Sequence, residues 1–268
     1  MKQKLLRILE IVLGIVLVVS LAMIARTEIQ YSKGAETYDE AFDTARPPKL
    51  TVTPPPAVRA KEPEKETEEE PDPDPNLVLL AAMHMDELRQ INPDVLGWVT
   101  IPDTIISYPV LQTDNNEYYL NHTWQRESSI VGAVFMECRS SAELTDFNTI
   151  IYGHNMRDKS MVGTMSDYLE QEHWQAHPSV YLLCGSGAYR YDIFAAFEAD
   201  VEGPVYQKLN MDADEREEFI AGCLELSAID TGLVPTADDQ ILTLSTCTGR
   251  GYANRWAVLA VLAESYTW

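Results

Sequence analysis

Residues 241–262 read ILTLSTCTGRGYANRWAVLAVL, and the fold turns on how this stretch is read. Two apolar runs rich in β-formers flank a polar segment that holds Cys247, Arg250 and Arg255. Runs of this kind, bounded by Gly and Asn, read as strands. A tight loop between them returns Arg255, which opens the second run, beside Cys247, which ends the first. Cys247 is open at this point to four readings: core packing, a disulfide, a metal ligand or a nucleophile.

Six further runs of the same character lie upstream: VLGWVTI from Val95, ISYPVLQ from Ile106, IVGAVFME from Ile130, NTIIYG from Asn148, VYLLC from Val180 and YRYDIFAAFEA from Tyr189. Three stretches read as helices. LVLLAAMHMDELRQIN begins at Leu77 and stops at Pro93. SMVGTMSDYLEQEHWQAH begins at Ser160. DADEREEFIAGCLELSAI begins at Asp212, where Asp212 and Glu215 have the spacing of a capping box. Its Phe219, Ile220, Cys223 and Leu224 fall on one helical face. A parallel α/β sheet needs a helix after most strands, and those are absent. The expectation is a mainly β protein: a closed barrel of about eight strands, decorated by an N-terminal helix and by a helix inserted before the cysteine strand.

The chain starts MKQKLLRILEIVLGIVLVVSLAMIART. Its apolar run from Ile11 to Ala25, extended backward by Leu5, Leu6, Ile8 and Leu9, approaches the roughly 20 residues that cross a bilayer. Lys2, Lys4 and Arg7 against a lone Arg26 place the N-terminus inside. No A-x-A cleavage site follows the run, so it reads as a retained anchor. Residues 28–45 can extend that helix. Residues 46–76, with their prolines and glutamates, cannot bury enough apolar surface to offset ordering entropy. The organisation expected is a cytoplasmic tip and transmembrane anchor over 1–32, a Pro/Glu-rich extracytoplasmic linker over 33–75, and a catalytic barrel domain over 76–268.

A formal net charge of −22 repels phosphate backbones and argues against a nucleic-acid partner. Four cysteines outside the cytoplasm permit two disulfides. Cys138, Cys184 and Cys223 sit in apolar runs or on a helix face, where packing is the default. No cysteine pair has zinc-site spacing, no HExxH or Gly-rich phosphate loop occurs, and no metal or cofactor is implied.

His154 stands apart from the other four histidines, because it follows an apolar strand and one glycine in TIIYGHNM. Cys247 ends QILTLSTC in the same way. If those strands are neighbours, imidazole and thiol reach one rim, with Arg255 beside them. Nucleophile, proton shuttle and oxyanion donor are the minimum set for acyl transfer.

YGHNM, TLSTC eight residues before an arginine, and NPDVLGWVTIP followed by YPVLQTDNNEYYLNH together resemble the sortases, and class B sortases in particular. The resemblance covers roughly residues 77–264. It implies His154, Cys247 and Arg255 as the catalytic triad. It further implies that Ser245 and Thr246 line a substrate groove, with Asn116 and Leu120 in a substrate-contacting loop. The activity implied is cleavage of an NPxTx-like C-terminal sorting signal of exported proteins after Thr, through a thioacyl-enzyme. The acyl group then passes to an amine of a peptidoglycan precursor or cross-bridge. Two rivals stay open: a hydrolytic cell-wall cysteine peptidase, and a stalked β-barrel binding module in which Cys247 is only core. Papain-like peptidases place Cys before His, whereas here His154 comes first.

Overall fold

The computed structural model describes residues 2–46, 74–185, 187–207 and 211–268. Within them every one of the eight runs forms a strand. These are β1 (Val95–Thr100), β2 (Ser107–Leu111), β3 (Val134–Met136), β4 (Asn148–Tyr152), β5 (Ser179–Cys184), β6 (Gly187–Asp200), β7 (Ile241–Cys247) and β8 (Asn254–Thr267). They close into a barrel in the order β1-β2-β3-β4-β7-β8-β6-β5. Two neighbouring pairs, β2 with β3 and β4 with β7, run parallel, and the others run antiparallel.

The strands of the 241–262 stretch are buried on both faces. Leu242 and Leu244 join Val258 and Ala260 in the main core. Ile241 joins Ala257 and Leu259 in a second cluster outside the barrel. Helix α6 (Ala213–Leu226) covers that second cluster. The Asp212 side chain accepts from the Glu215 N–H, and Glu215 reaches back to the Asp212 N–H, so the expected capping box is present. Phe219, Ile220 and Cys223 of its apolar face are buried, and the Phe219 ring meets Phe147 at 5.8 Å. Each large side chain so covered contributes about 2 kcal/mol of burial.

Two expected helices differ in detail. The stretch from Leu77 splits into α2 (Pro75–Ala81) and α3 (Met85–Ile91). The break is where the chain meets the end of α1 (Lys2–Ala45), whose last carbonyl accepts the His84 N–H at 2.9 Å. The stretch from Ser160 forms only a 3₁₀ turn over Met165–Leu169 and α4 (Gln171–Ala176). Met161 there has a φ of 57°, outside the helical region, which stops a longer helix from starting.

Helix α1 continues unbroken past residue 32. From Leu9 onward it includes a window of mean hydropathy 2.3 that the rest of the protein leaves uncovered, which makes it a candidate membrane span. Its C-terminal part docks on the barrel. Tyr38, Ala41 and Ala45, spaced on one face, are buried, and the Phe42 ring lies 6.1 Å from that of Trp98. The rest of the expected linker, 47–73, lies outside the described residues. A short α5 (Pro204–Gln207) follows β6.

Candidate active site

Parallel pairing of β4 with β7 puts Tyr152 opposite Ser245. Two residues further along each strand stand His154 and Cys247, so both leave the same rim at the same height. Antiparallel pairing of β7 with β8 puts Arg255 directly opposite Cys247. A cleft of about 290 Å³ opens there, lined by His154, Cys247 and Arg255. Asn116, Leu120, Ser245 and Thr246 line the same cleft, so all seven residues singled out from the sequence meet at one place.

Two hydrogen bonds tie the histidine segment to the cysteine strand. The Gly153 N–H donates to the Ser245 carbonyl at 3.1 Å, and Asn155 Nδ2 donates to the Cys247 carbonyl at 2.8 Å. His154 Nε2 lies 2.6 Å from the Leu120 carbonyl. A carbonyl only accepts, so Nε2 carries the proton of the neutral ring and Nδ1 is the basic nitrogen. Gly132, at a φ of +62°, lies against the ring: a Cβ there would come within 2.6 Å of His154 Cδ2. Only glycine fits both the left-handed backbone and the contact.

Arg255 Nη1 donates to the carbonyls of Tyr252 and Asn254, each at 3.1 Å. Among the described residues no carboxylate pairs with it. Arg250, the nearer arginine in sequence, is instead held by Glu198 at 2.5 Å and lies 4.9 Å over the Trp256 ring. Thr246 Oγ1 is buried beside the thiol with no hydrogen-bond partner among the described residues, an orphaned group of the kind that a bound polar ligand satisfies. Ser245 Oγ is hydrogen-bonded to the Tyr206 hydroxyl at 2.9 Å. Burial pushes that phenol up to about 12 despite Ser245 and Arg255, so it stays protonated.

Sequence reasoning passed over the wall that supports this cleft. Glu137 is 1% exposed and accepts from Asn116 Nδ2 at 2.8 Å, from the Tyr152 hydroxyl at 3.0 Å and from Arg139 Nε at 2.8 Å. Arg139 in turn donates to the Tyr206 carbonyl at 3.2 Å. Burial pushes the Glu137 carboxyl up, but the bonds from Arg139, Tyr152 and Asn116 win and hold it below the usual carboxylate range. Tyr152 and Tyr206 both line the cleft, so one buried carboxylate braces three of its residues. The Asn116 amide is largely occupied by this network, since its Oδ1 also accepts the Cys138 N–H at 2.8 Å. The signal in the sequence was the lone Glu closing the apolar run AVFME. Asn155 stood inside YGHNM and was likewise not singled out.

All four cysteines are free. Cys184 and Cys223 are buried, whereas Cys138 and Cys247 are partly exposed. No group of three or more His, Cys, Asp or Glu placed to hold a metal occurs among the described residues.

The family model for the sortase domain matches residues 99–263. Sortase B of Listeria monocytogenes is 35% identical over 161 residues, covering 60% of this chain and 65% of that protein. Sortase B of Staphylococcus aureus is 32% identical over 163 residues, covering 60% of this chain and 66% of that protein. The matches thus span slightly less than two thirds of those relatives. Among solved structures, the Staphylococcus aureus sortase B–substrate complex superposes with a TM-score of 0.63 at 30% identity, covering 67% of this chain and 85% of that one. A sortase B complexed with triglycine superposes with a TM-score of 0.63 at 30% identity, covering 67% of this chain and 85% of that one. With its eight-stranded barrel and matching domain, the chain belongs to the sortase family and is similar to its class B members.

Proposed function

We propose that this protein is a membrane-anchored cysteine transpeptidase that cleaves a C-terminal sorting signal of exported proteins. The observation that carries the reading is the meeting of Cys247, His154 and Arg255 in one cleft, placed there by the β4–β7 and β7–β8 pairings. His154 Nδ1 takes the thiol proton, and the Cys247 thiolate attacks the carbonyl carbon of the Thr in an NPxTx-like peptide. Arg255, held by two backbone carbonyls and not by a carboxylate among the described residues, stabilises the oxyanion that develops. His154 Nδ1 gives its proton to the departing amine as the C–N bond breaks, leaving a thioester on Cys247. An amine of a peptidoglycan precursor or cross-bridge then attacks the thioester, His154 takes its proton, and the thiolate leaves. Ser245, Thr246, Asn116 and Leu120 form the substrate-facing wall. The sortase B complexes with substrate and with triglycine support a peptide donor and an amine acceptor.

The organisation that goes with this reading is an anchor over 1–32 with the N-terminus inside, a connecting segment over 33–75 whose first part, to Ala45, is the end of α1 docked on the barrel, and an extracytoplasmic catalytic domain over 76–268. The test is cleavage of a library of sorting-signal peptides by the full chain in detergent, with and without triglycine. Cleavage that Cys247→Ala abolishes, with product diverted onto triglycine, is the expected result. Cleavage that persists in Cys247→Ala overturns the assignment, and hydrolysis that triglycine never diverts makes the protein a peptidase.

A further inference from the structure

The holder around His154 reaches into the helix that carries the candidate membrane span. Two backbone segments grip the imidazole. Leu120 accepts from Nε2, and Gly132 sits so close to Cδ2 and Nε2 that a Cβ on it would come within 2.8 Å of both. The two segments are joined by the Ala133 N–H donating to the Tyr119 carbonyl at 2.9 Å. Into this holder comes one turn of α1. The Tyr38 hydroxyl donates to the Gly132 carbonyl at 2.5 Å, a bond between residues far apart in sequence and buried from solvent. The preceding residue is tied as well, because Trp124 Nε1 donates to the Thr37 carbonyl at 2.8 Å.

The same tyrosine reaches the loop that follows the histidine. Its ring meets Tyr108 edge-on at 5.3 Å, and the Tyr108 hydroxyl accepts the Met161 N–H at 2.9 Å. The next residue, Val162, donates its N–H to the His154 carbonyl at 3.2 Å. Tyr38 therefore stands between the segment that presses on the imidazole and the segment that holds the His154 backbone.

We propose that Tyr38 is a positioning residue for His154, so that the docked end of the membrane-proximal helix keeps the imidazole in its Nε2–H form with Nδ1 facing the reaction. This rests on the transpeptidase reading for its effect on turnover, though not for its effect on the ring. Glycine at 132 has no side chain to lock its own backbone, so the peptide plane it shares with Ala133 is held against the ring by its two hydrogen bonds, Tyr38 on the carbonyl edge and the Tyr119 carbonyl on the N–H edge.

The experiment uses the full chain in detergent micelles, labelled with ¹⁵N-histidine, as wild type and as Tyr38→Phe. The expected result is a roughly tenfold lower kcat for sorting-signal peptide, the effect of losing one hydrogen bond, with KM within about twofold. The His154 ring-nitrogen shifts should move toward a mixture of tautomers while the other four histidines stay unchanged. Unaltered His154 shifts together with unaltered kcat overturn the proposal, as does a rise in KM with kcat preserved. If Tyr38→Phe loses its native melting transition, Trp124→Phe, which frees the same turn of α1, is read in its place with the same expectations. A wild-type chain that cleaves no peptide overturns the catalytic reading, while a His154 shift in the variant still supports the coupling.

Discussion

Asn155 donates its side-chain amide to the backbone carbonyl of Cys247 at 2.8 Å, so the residue after the imidazole grips the residue that bears the thiol. With the Gly153–Ser245 bond it extends the β4–β7 ladder beyond the strands themselves. The relative placement of His154 and Cys247 is therefore set by two bonds across one parallel pair. Asn155→Ala removes one of them and leaves a carbonyl without its donor. The expected cost is about 1 kcal/mol of stability by chemical denaturation. Peptide cleavage by Asn155→Ala should show kcat/KM about tenfold lower. Unchanged kinetics would mean that the strands alone fix the pair.

Arg255 is the cation to separate from Arg250. Its guanidinium is anchored through Nη1 by the Tyr252 and Asn254 carbonyls. A lysine ammonium carries all its donors on one nitrogen, so if that nitrogen keeps both anchors it has no second nitrogen to reach into the cleft as the guanidinium does. Arg255→Lys should lower kcat by roughly 100-fold, the usual loss for one oxyanion donor. Arg250→Lys, at a residue that does not line the cleft and is paired with Glu198, should change kcat less than about twofold. Single-turnover acylation with a sorting-signal peptide measures both, and equal effects would remove Arg255 from the role.

How much of this was legible in the sequence depends on range. The strands were, because short apolar runs of β-formers bounded by turn residues, as in ILTLSTC and RWAVLAVL, are a local signal, and so was the Asp212 capping box. The convergence of His154 with Cys247 was reachable only as a conditional. Parallel pairing of β4 with β7 joins segments separated by two strands and three helices, and no local pattern encodes that contact. The split between α2 and α3 was hidden for the same reason: helix propensity runs through Ala82–His84, and only the docked end of α1 breaks it. Glu137 escaped because a single glutamate at a strand end normally faces water. Its burial makes sense only beside Arg139, Tyr152 and Asn116.

Glu137 gives the site a pH signature. Its carboxyl lies below the usual range, so it contributes stability that is complete above the ordinary carboxylate value of about 4.3. That stability is lost as the pH falls through its lower folded value. Glu137→Gln replaces an acceptor of four side-chain donors, the Cys138 thiol at 3.5 Å included, by a group that itself donates. It should cost about 2 kcal/mol at pH 7, read by urea unfolding. The difference between wild type and variant should shrink below about pH 4. A gap that stays constant with pH would mean the carboxylate charge is not what braces the cleft.

The four thiols supply the last prediction, because their surroundings differ while their chemistry does not. Burial pushes the Cys184 thiol up to about 11 and the Cys223 thiol up to about 12. At pH 8 roughly one molecule in 1,000 or fewer carries either as thiolate, and neither is open to solvent. Cys138 is partly exposed, but burial and the neighbouring Glu137 carboxylate raise it too. Cys247 is partly exposed in a cleft that also holds Arg255. Iodoacetamide at pH 8, followed by peptide mapping, should therefore modify Cys247 first, Cys138 more slowly, and Cys184 and Cys223 only on unfolding. An excess of sorting-signal peptide should protect Cys247 and leave the Cys138 rate unchanged. Labelling of Cys247 no faster than that of Cys184 would make it a packed thiol and the barrel a binding module. Protection that spread equally to Cys138 would instead place the peptide over the Glu137 side of the cleft.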